Sequence, residues 1–156
     1  MANTTGAGSK IYIGPANTSA TTQTAFEALT YQEIGDVVDI GEFGITFQSV
    51  TSDHLGDRFT KMFKGQKSGG NPTIVYDYDS ADTGQSNVAT ALASDSDYAF
   101  KVELNDAGTG SPSSPSTFFF RAKVMANPLA GITANNMVRR NLVLGINADP
   151  VEVEAV

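Results

Sequence analysis

The stretch YAFKVEL, residues 98–104, carries the clearest structural signal in the chain. Its aromatic and aliphatic side chains alternate with Ala99, Lys101 and Glu103, which is the pattern of a β-strand with one buried face. A second stretch, TFFFRAKVM (residues 117–125), shows the same alternation. Residues 105–116 between them are rich in Gly, Ser and Pro, which is typical of a flexible turn. This region therefore predicts two β-strands joined by a turn.

Segments on both sides of this region also have strand patterns. They are residues 10–14, 30–34, 45–50, 73–78 and 137–146. One helix is predicted over residues 80–95, because Asp82 or Thr83 can cap its start and apolar residues recur there at helical spacing. Turns rather than helical crossovers join the strands. The predicted fold class is therefore mainly β, an antiparallel β-sandwich or partly closed barrel with one flanking α-helix.

The whole chain, residues 1–156, is predicted to form a single domain. Residues 1–9 are small and polar and predict a flexible N-terminal arm, and residues 16–25 predict a loop with little to bury. Residues 51–70 are basic and contain few apolar side chains, which predicts a long projecting hairpin or loop. Residues 149–156 predict an acidic C-terminal tail.

The charge balance argues against nucleic-acid binding through phosphate contacts. Ten basic residues stand against seventeen acidic ones, a net charge of −7, whereas such binding needs a basic face. The charge is also segregated, because residues 58–67 carry four basic side chains and no acid, while residues 77–97 carry only acids. This segregation favours docking between complementary patches.

The residues offer little for catalysis or for metal binding. The chain has no cysteine and one histidine, His54, and we interpret His54 as a solvated loop residue rather than a base or ligand. Asp77 and Asp79 share one face of a strand and could form an acid–base pair. We interpret them instead as part of an outward polar face. No enzymatic activity and no cofactor are expected.

Two further absences bear on location. The first ten residues lack the features of a signal peptide, and no apolar run approaches the roughly 18 residues that span a bilayer. A soluble protein that stays in the cell where it is made, without membrane binding, is the expectation.

The order of segments resembles the major tail tube proteins of long-tailed (siphovirus-type) bacteriophages. The resemblance begins at EIGDVVDIGEFGITF (residues 33–47) and continues through the basic segment DRFTKMFKGQKSGG (residues 57–70) and the helix at 80–95. It then includes the two strands at 98–106 and 117–125 and ends with NLVLGINADPVEVEAV (residues 141–156).

This resemblance implies a structural subunit that forms hexameric rings stacked into a hollow tube. The genome would pass through the lumen without specific binding, and the long loop would reach the next ring. Tape measure protein, tail terminator and distal tail proteins would be its partners. The location implied is the virion tail, assembled in the bacterial host cytoplasm. A tail terminator, a secretion-tube protein and a ligand-binding β-sandwich are the alternatives.

We hypothesise that the basic segment docks on carboxylates of an adjacent subunit. The basic candidates are Arg58, Lys61, Lys64 and Lys67. The acidic candidates are Asp36, Asp39, Glu42, Glu152 and Glu154. A simpler interpretation is a solvated basic loop, since surface ion pairs stabilise little. Because the segment and the arm have few apolar groups, we also expect them to become ordered only on assembly.

Overall fold

The computed structural model describes residues 3–16, 19–110 and 112–156, and within these ranges it contains eleven strands and two helices. The first half comprises β1 (Lys10–Ala16), α1 (Gln23–Glu27), β2 (Gln32–Ile34), β3 (Val37–Asp39), β4 (Thr46–Ser52) and β5 (Lys61–Ser68). The second half comprises β6 (Thr73–Asp77), α2 (Thr83–Leu92), β7 (Tyr98–Glu103), β8 (Thr117–Ala126), β9 (Leu129–Ala130), β10 (Arg139–Ile146) and β11 (Val151–Val153). No helix in these ranges is long and apolar enough to cross a membrane.

Nine of the strands form one antiparallel sheet in the order β2-β1-β7-β8-β10-β6-β3, with β9 beside β10 and β11 beside β8. The two edge strands, β2 and β3, follow each other in sequence and are joined only by Gly35 and Asp36. Three residue steps span at most about 11 Å, so the sheet must curl until its edges nearly meet. The predicted antiparallel, partly closed barrel is confirmed.

The seam between β2 and β3 is held by the start of α2. Asp82 caps the helix by accepting from the Gln85 backbone N–H at 2.9 Å, and it also accepts from the Gly35 N–H at 3.2 Å. The buried Gln85 side chain donates to the carbonyls of Gly35 and Asp77 at 3.3 and 3.0 Å, and it accepts from the Asp79 N–H at 2.9 Å. One side chain thus links the seam and the end of β6 to the helix.

The main core lies inside the curled sheet. Alternate residues of the central strands meet there, including Phe100 of β7 and Phe120 of β8, whose rings stack with centroids 5.7 Å apart. Val88 and Ala91 of α2 pack into the same core. Phe43, from the segment after β3, covers this core, and the centroid of its ring lies 5.4 Å from that of Phe120. Of the two faces predicted for residues 98–104 and 117–125, the face that carries Phe100 and Phe120 forms this core.

A second, smaller core corrects the predicted number of helices and the predicted loop at residues 16–25. The structure adds α1 beside the predicted helix, capped by the Thr22 side chain. Phe26 of α1 is fully buried and stacks on Phe119 at 5.5 Å, and Ala20 is buried beside them. Five residues are too few to show helical periodicity, so one deeply buried aromatic rather than a pattern determines this helix. Residues 17 and 18 of that loop lie outside the described residues.

The structure also has more strands than the seven that were predicted. β8 and β9 both pair with β10 and are separated by Asn127 and Pro128, while a bulge at Met125 lies within β8. Residues 149–156 do not lie apart from the sheet, because β11 pairs with β8 and Val156 exchanges backbone hydrogen bonds with Ser114.

Candidate assembly surfaces

Strands β4 and β5 form an antiparallel hairpin that pairs with no strand of the nine-stranded sheet. The segment at residues 51–70 thus contributes the turn and the second strand of a hairpin that begins at Thr46. Side chains on both faces of the hairpin are exposed. Strand β4 has seven residues, so the hairpin extends about 23 Å from the barrel before its turn.

The hairpin carries apolar side chains on both faces and at its turn. Val50 and Phe63 are paired on one face, whereas Phe47 and Met62 lie on the other. Leu55 is fully exposed at the turn, and Phe59, also in the turn, is 85% exposed. An isolated two-stranded hairpin is marginally stable in water, and a contiguous exposed apolar surface marks an interaction site. The hairpin therefore has the properties of a surface that is covered in an assembly.

The basic candidates differ in whether they already have a partner within the same chain. Lys67, at the base of the hairpin, donates to Asp149 at 2.8 Å, and Lys61 pairs with Asp57 at 3.3 Å. Lys64 lies over the Phe47 ring, 4.8 Å from its centroid. Arg58 is exposed in the turn.

The acidic candidates do not form one patch. Asp36 occupies the tight turn at the seam, where its φ of 58° lies in the left-handed region. Asp39 and Glu42 are exposed on the segment that leads away from the seam toward the hairpin. Glu152 and Glu154 are exposed on the other side of the sheet from the seam, where Glu152 of β11 pairs with Phe118 near the start of β8. Asp36 therefore lies at the seam, whereas Glu152 and Glu154 lie beside the start of β8.

The barrel has two distinct ends, which we name by what they carry. The hairpin end carries the base of β4 and β5, and there Gly69 lies directly against Ile146, the last residue of β10. The loop end carries residues 131–138, which connect β9 to the first residue of β10, Arg139. β10 therefore runs from one end to the other.

The loop end carries an exposed apolar patch that sequence reasoning missed. Leu129, Ile132 and Met137, which we call the loop-end patch, are 46%, 69% and 63% exposed. Beside it lies a groove of about 540 Å³. Its walls are formed by Val75, Ala130, Gly131, Asn135, Asn136, Met137, Arg139 and Asn141. The only signal in the sequence was the presence of apolar residues in a loop rich in Gly and Asn.

A cleft of about 520 Å³ lies on the other side of the barrel, toward the hairpin end. Val102, Phe118, Phe43 and the segment 37–41 contribute to its walls. The Ser9 hydroxyl there is buried without a hydrogen-bond partner.

The residues considered for catalysis are engaged in structural contacts. His54 lies in the exposed turn of the hairpin, 3.2 Å from the Ser52 hydroxyl and 4.0 Å from Asp57. Asp77 accepts from Arg139 at 2.8 Å, whereas Asp79 accepts from the Ala81 N–H. Within residues 3–16, 19–110 and 112–156, no cluster of His and carboxylate side chains could hold a metal ion.

The fold itself is shared with known proteins, although the sequence is not. No protein-family model matches the chain, and no curated protein matches it. A chain of the anti-feeding prophage baseplate, in a 6-fold symmetrised cryo-EM structure, matches with a TM-score of 0.73 and 12% identity. That match covers 99% of this chain and 98% of the other.

A chain of the SPP1 tail tube matches with a TM-score of 0.68 and 11% identity, over 93% of this chain and 77% of the other. The chain has the tail tube fold. The crystal structure of Hcp protein matches more distantly, with a TM-score of 0.50 and 11% identity over 94% of this chain and 96% of that one. At these identities the fold is what the chains have in common.

Proposed function

We propose that this chain is a non-enzymatic structural subunit of a phage-type tail tube. It assembles into six-membered rings, and the rings stack into a hollow tube that conducts the genome. The observation that carries the proposal is the β4–β5 hairpin, which extends from a barrel with the tail tube fold and carries exposed apolar side chains on both faces. Such a hairpin costs free energy in isolation and is stabilised when another subunit covers it.

The net charge of −7 is consistent with a conducting lumen. Each phosphate neutralised by Lys or Arg adds affinity through counterion release, so a channel for DNA functions best without dense basic contacts. The proposed location is the tail of the virion, after assembly in the host cytoplasm. A tape measure protein inside the tube, a terminator at one end and distal tail proteins at the other are the proposed partners.

Electron microscopy of the purified full-length chain tests the proposal. Hollow, unbranched tubes built from rings are expected. The matches to the baseplate chain and to Hcp make a single-ring or secretion-tube component the second candidate. Isolated rings that never elongate at high protein concentration would favour that second candidate, and a monomer under all conditions would contradict both.

Arg58 and Lys64 are the proposed basic side chains for docking on a neighbouring subunit. Lys67 and Lys61 are already paired within the chain, so Arg58 and Lys64 are the basic side chains most available to a neighbouring subunit. Reversal of both, Arg58→Glu with Lys64→Glu, should prevent tube formation and leave the melting temperature unchanged. The matched control, Arg58→Lys with Lys64→Arg, should form normal tubes. Normal tubes from the reversed variant would refute the hypothesis.

Hydrogen exchange tests when the hairpin becomes ordered. The amides of β4 and β5 should exchange rapidly in the unassembled chain, since few contacts outside the hairpin protect them, and slowly in tubes. The amides of β7 and β8, in the middle of the sheet, should be protected in both states. Slow exchange of the hairpin in the unassembled chain would contradict the expectation.

A further inference from the structure

The hairpin and the loop-end patch lie at opposite ends of one strand. β10 starts at Arg139 beside the loop end and finishes at Ile146 beside the base of the hairpin. Eight residues of strand cover about 26 Å. The chain therefore presents one exposed apolar surface at each end of the barrel.

The two surfaces suit each other in shape. The hairpin is a narrow projection whose turn offers Leu55 and Phe59, the two most exposed large apolar side chains among the described residues. The loop end offers a groove with the side chain of Met137 in its wall and Ile132 close by in the chain. A projecting apolar turn and a concave partly apolar groove bury each other more completely than two projections would.

The two surfaces also carry opposite charge. The hairpin, residues 46–68, has four basic residues against two acidic ones, a net charge of +2. Around the loop end, four carboxylates stand against two guanidinium groups, a net charge of −2. These groups are Asp36, Asp77, Asp79, Asp82, Arg139 and Arg140. Asp36 and Asp79 are exposed there, whereas Glu152 and Glu154 lie at the hairpin end.

We propose that the hairpin of one copy binds the loop-end patch and its groove on a second copy in the next ring. This inference rests on the proposed function and identifies the receiving surface. A contact between different surfaces of identical subunits is heterologous, so each added ring presents a new free surface and the stack stays open. Asp36 then faces the basic side chains of the hairpin, while Asp39 and Glu42 do not.

Paired variants at exposed positions test the inference without damaging the core. The hairpin variant carries Leu55→Ser and Phe59→Ser, and the patch variant carries Ile132→Asp and Met137→Asp. Each should keep the circular dichroism spectrum and melting temperature of the parent chain and should form rings but no tubes. The matched control for the patch, Ile132→Val with Met137→Leu, keeps the surface apolar and should form normal tubes.

Mixing the two variants gives the decisive measurement. Rings of the hairpin variant still have an intact loop end, and rings of the patch variant still have an intact hairpin. Equal amounts should give double rings that do not elongate, which electron microscopy and sedimentation velocity would detect. Tubes of normal length from the patch variant, or a mixture with no double rings, would overturn the inference. A parent chain that forms neither rings nor tubes would instead overturn the proposed function.

Discussion

The Gln85 side chain offers a direct test of how the seam between β2 and β3 is held. It makes three hydrogen bonds from a position that is 6% exposed, to Gly35 at the seam, to the Asp77 carbonyl on β6 and to the Asp79 backbone N–H. Gln85→Met keeps the length of the side chain and removes all three bonds. Each contributes about 1 kcal/mol net, and partly buried backbone groups are left unsatisfied, so the expected loss is about 2–4 kcal/mol.

Urea denaturation measures this loss as a lower midpoint at an unchanged slope. In a domain of this size it corresponds to a melting temperature lower by about 5–12 °C. Asn87→Met makes the same kind of substitution at an exposed position of the same helix and should change stability by less than about 0.5 kcal/mol. A loss from Gln85→Met as small as that from Asn87→Met would mean that the seam does not depend on these bonds.

Two further predictions concern the stability of the smaller core and the loss of stability at alkaline pH. Phe26→Ala removes a fully buried ring that stacks on Phe119 and should lower the free energy of unfolding by about 3–5 kcal/mol. Glu27→Ala, at the adjacent exposed position, should lower it little. Equal losses for the two variants in urea denaturation would contradict the importance of this stacking. Burial raises the pKa of Tyr12 and of Tyr31 to about 12, above the ordinary value of 10.0, so the folded chain holds these protons more tightly than the unfolded chain. Their stabilising contribution is complete below pH 10.0 and is lost as the pH rises toward about 12, so the double Tyr→Phe variant should show a shallower alkaline fall in melting temperature.

The features that sequence predicted best are those in which burial imposes a pattern. The strand at 98–104 alternates because Phe100 and Val102 enter the core while Lys101 and Glu103 do not. The sequence predicts a helix at 80–95 with Asp82 or Thr83 as its cap, and in the structure Asp82 caps α2, which spans Thr83–Leu92. In both cases the face that enters the main core has a period that can be read along the chain.

The features that sequence did not predict are those without such a pattern. β5 is exposed on both faces, so its residues show no alternation that would distinguish a strand from a loop. The loop-end patch was not predicted because Leu129, Ile132 and Met137 are apolar. From sequence alone, such residues are expected in the core rather than on the surface. Asp36 was identified as a candidate, but its separation from Glu152 follows only from the curl of the sheet.

The order of strands in the sheet also determines which parts of the chain can fold first during synthesis. β1 pairs with β7, about 90 residues later in the chain, and translation at ~5–20 residues per second delays that pairing by roughly 5–20 s. The local β4–β5 hairpin needs only about 1–10 μs once it has emerged. Phe47 and Phe63 are therefore displayed for seconds before the sheet that anchors them exists, and we expect aggregation of nascent chains at this stage to compete with the formation of rings.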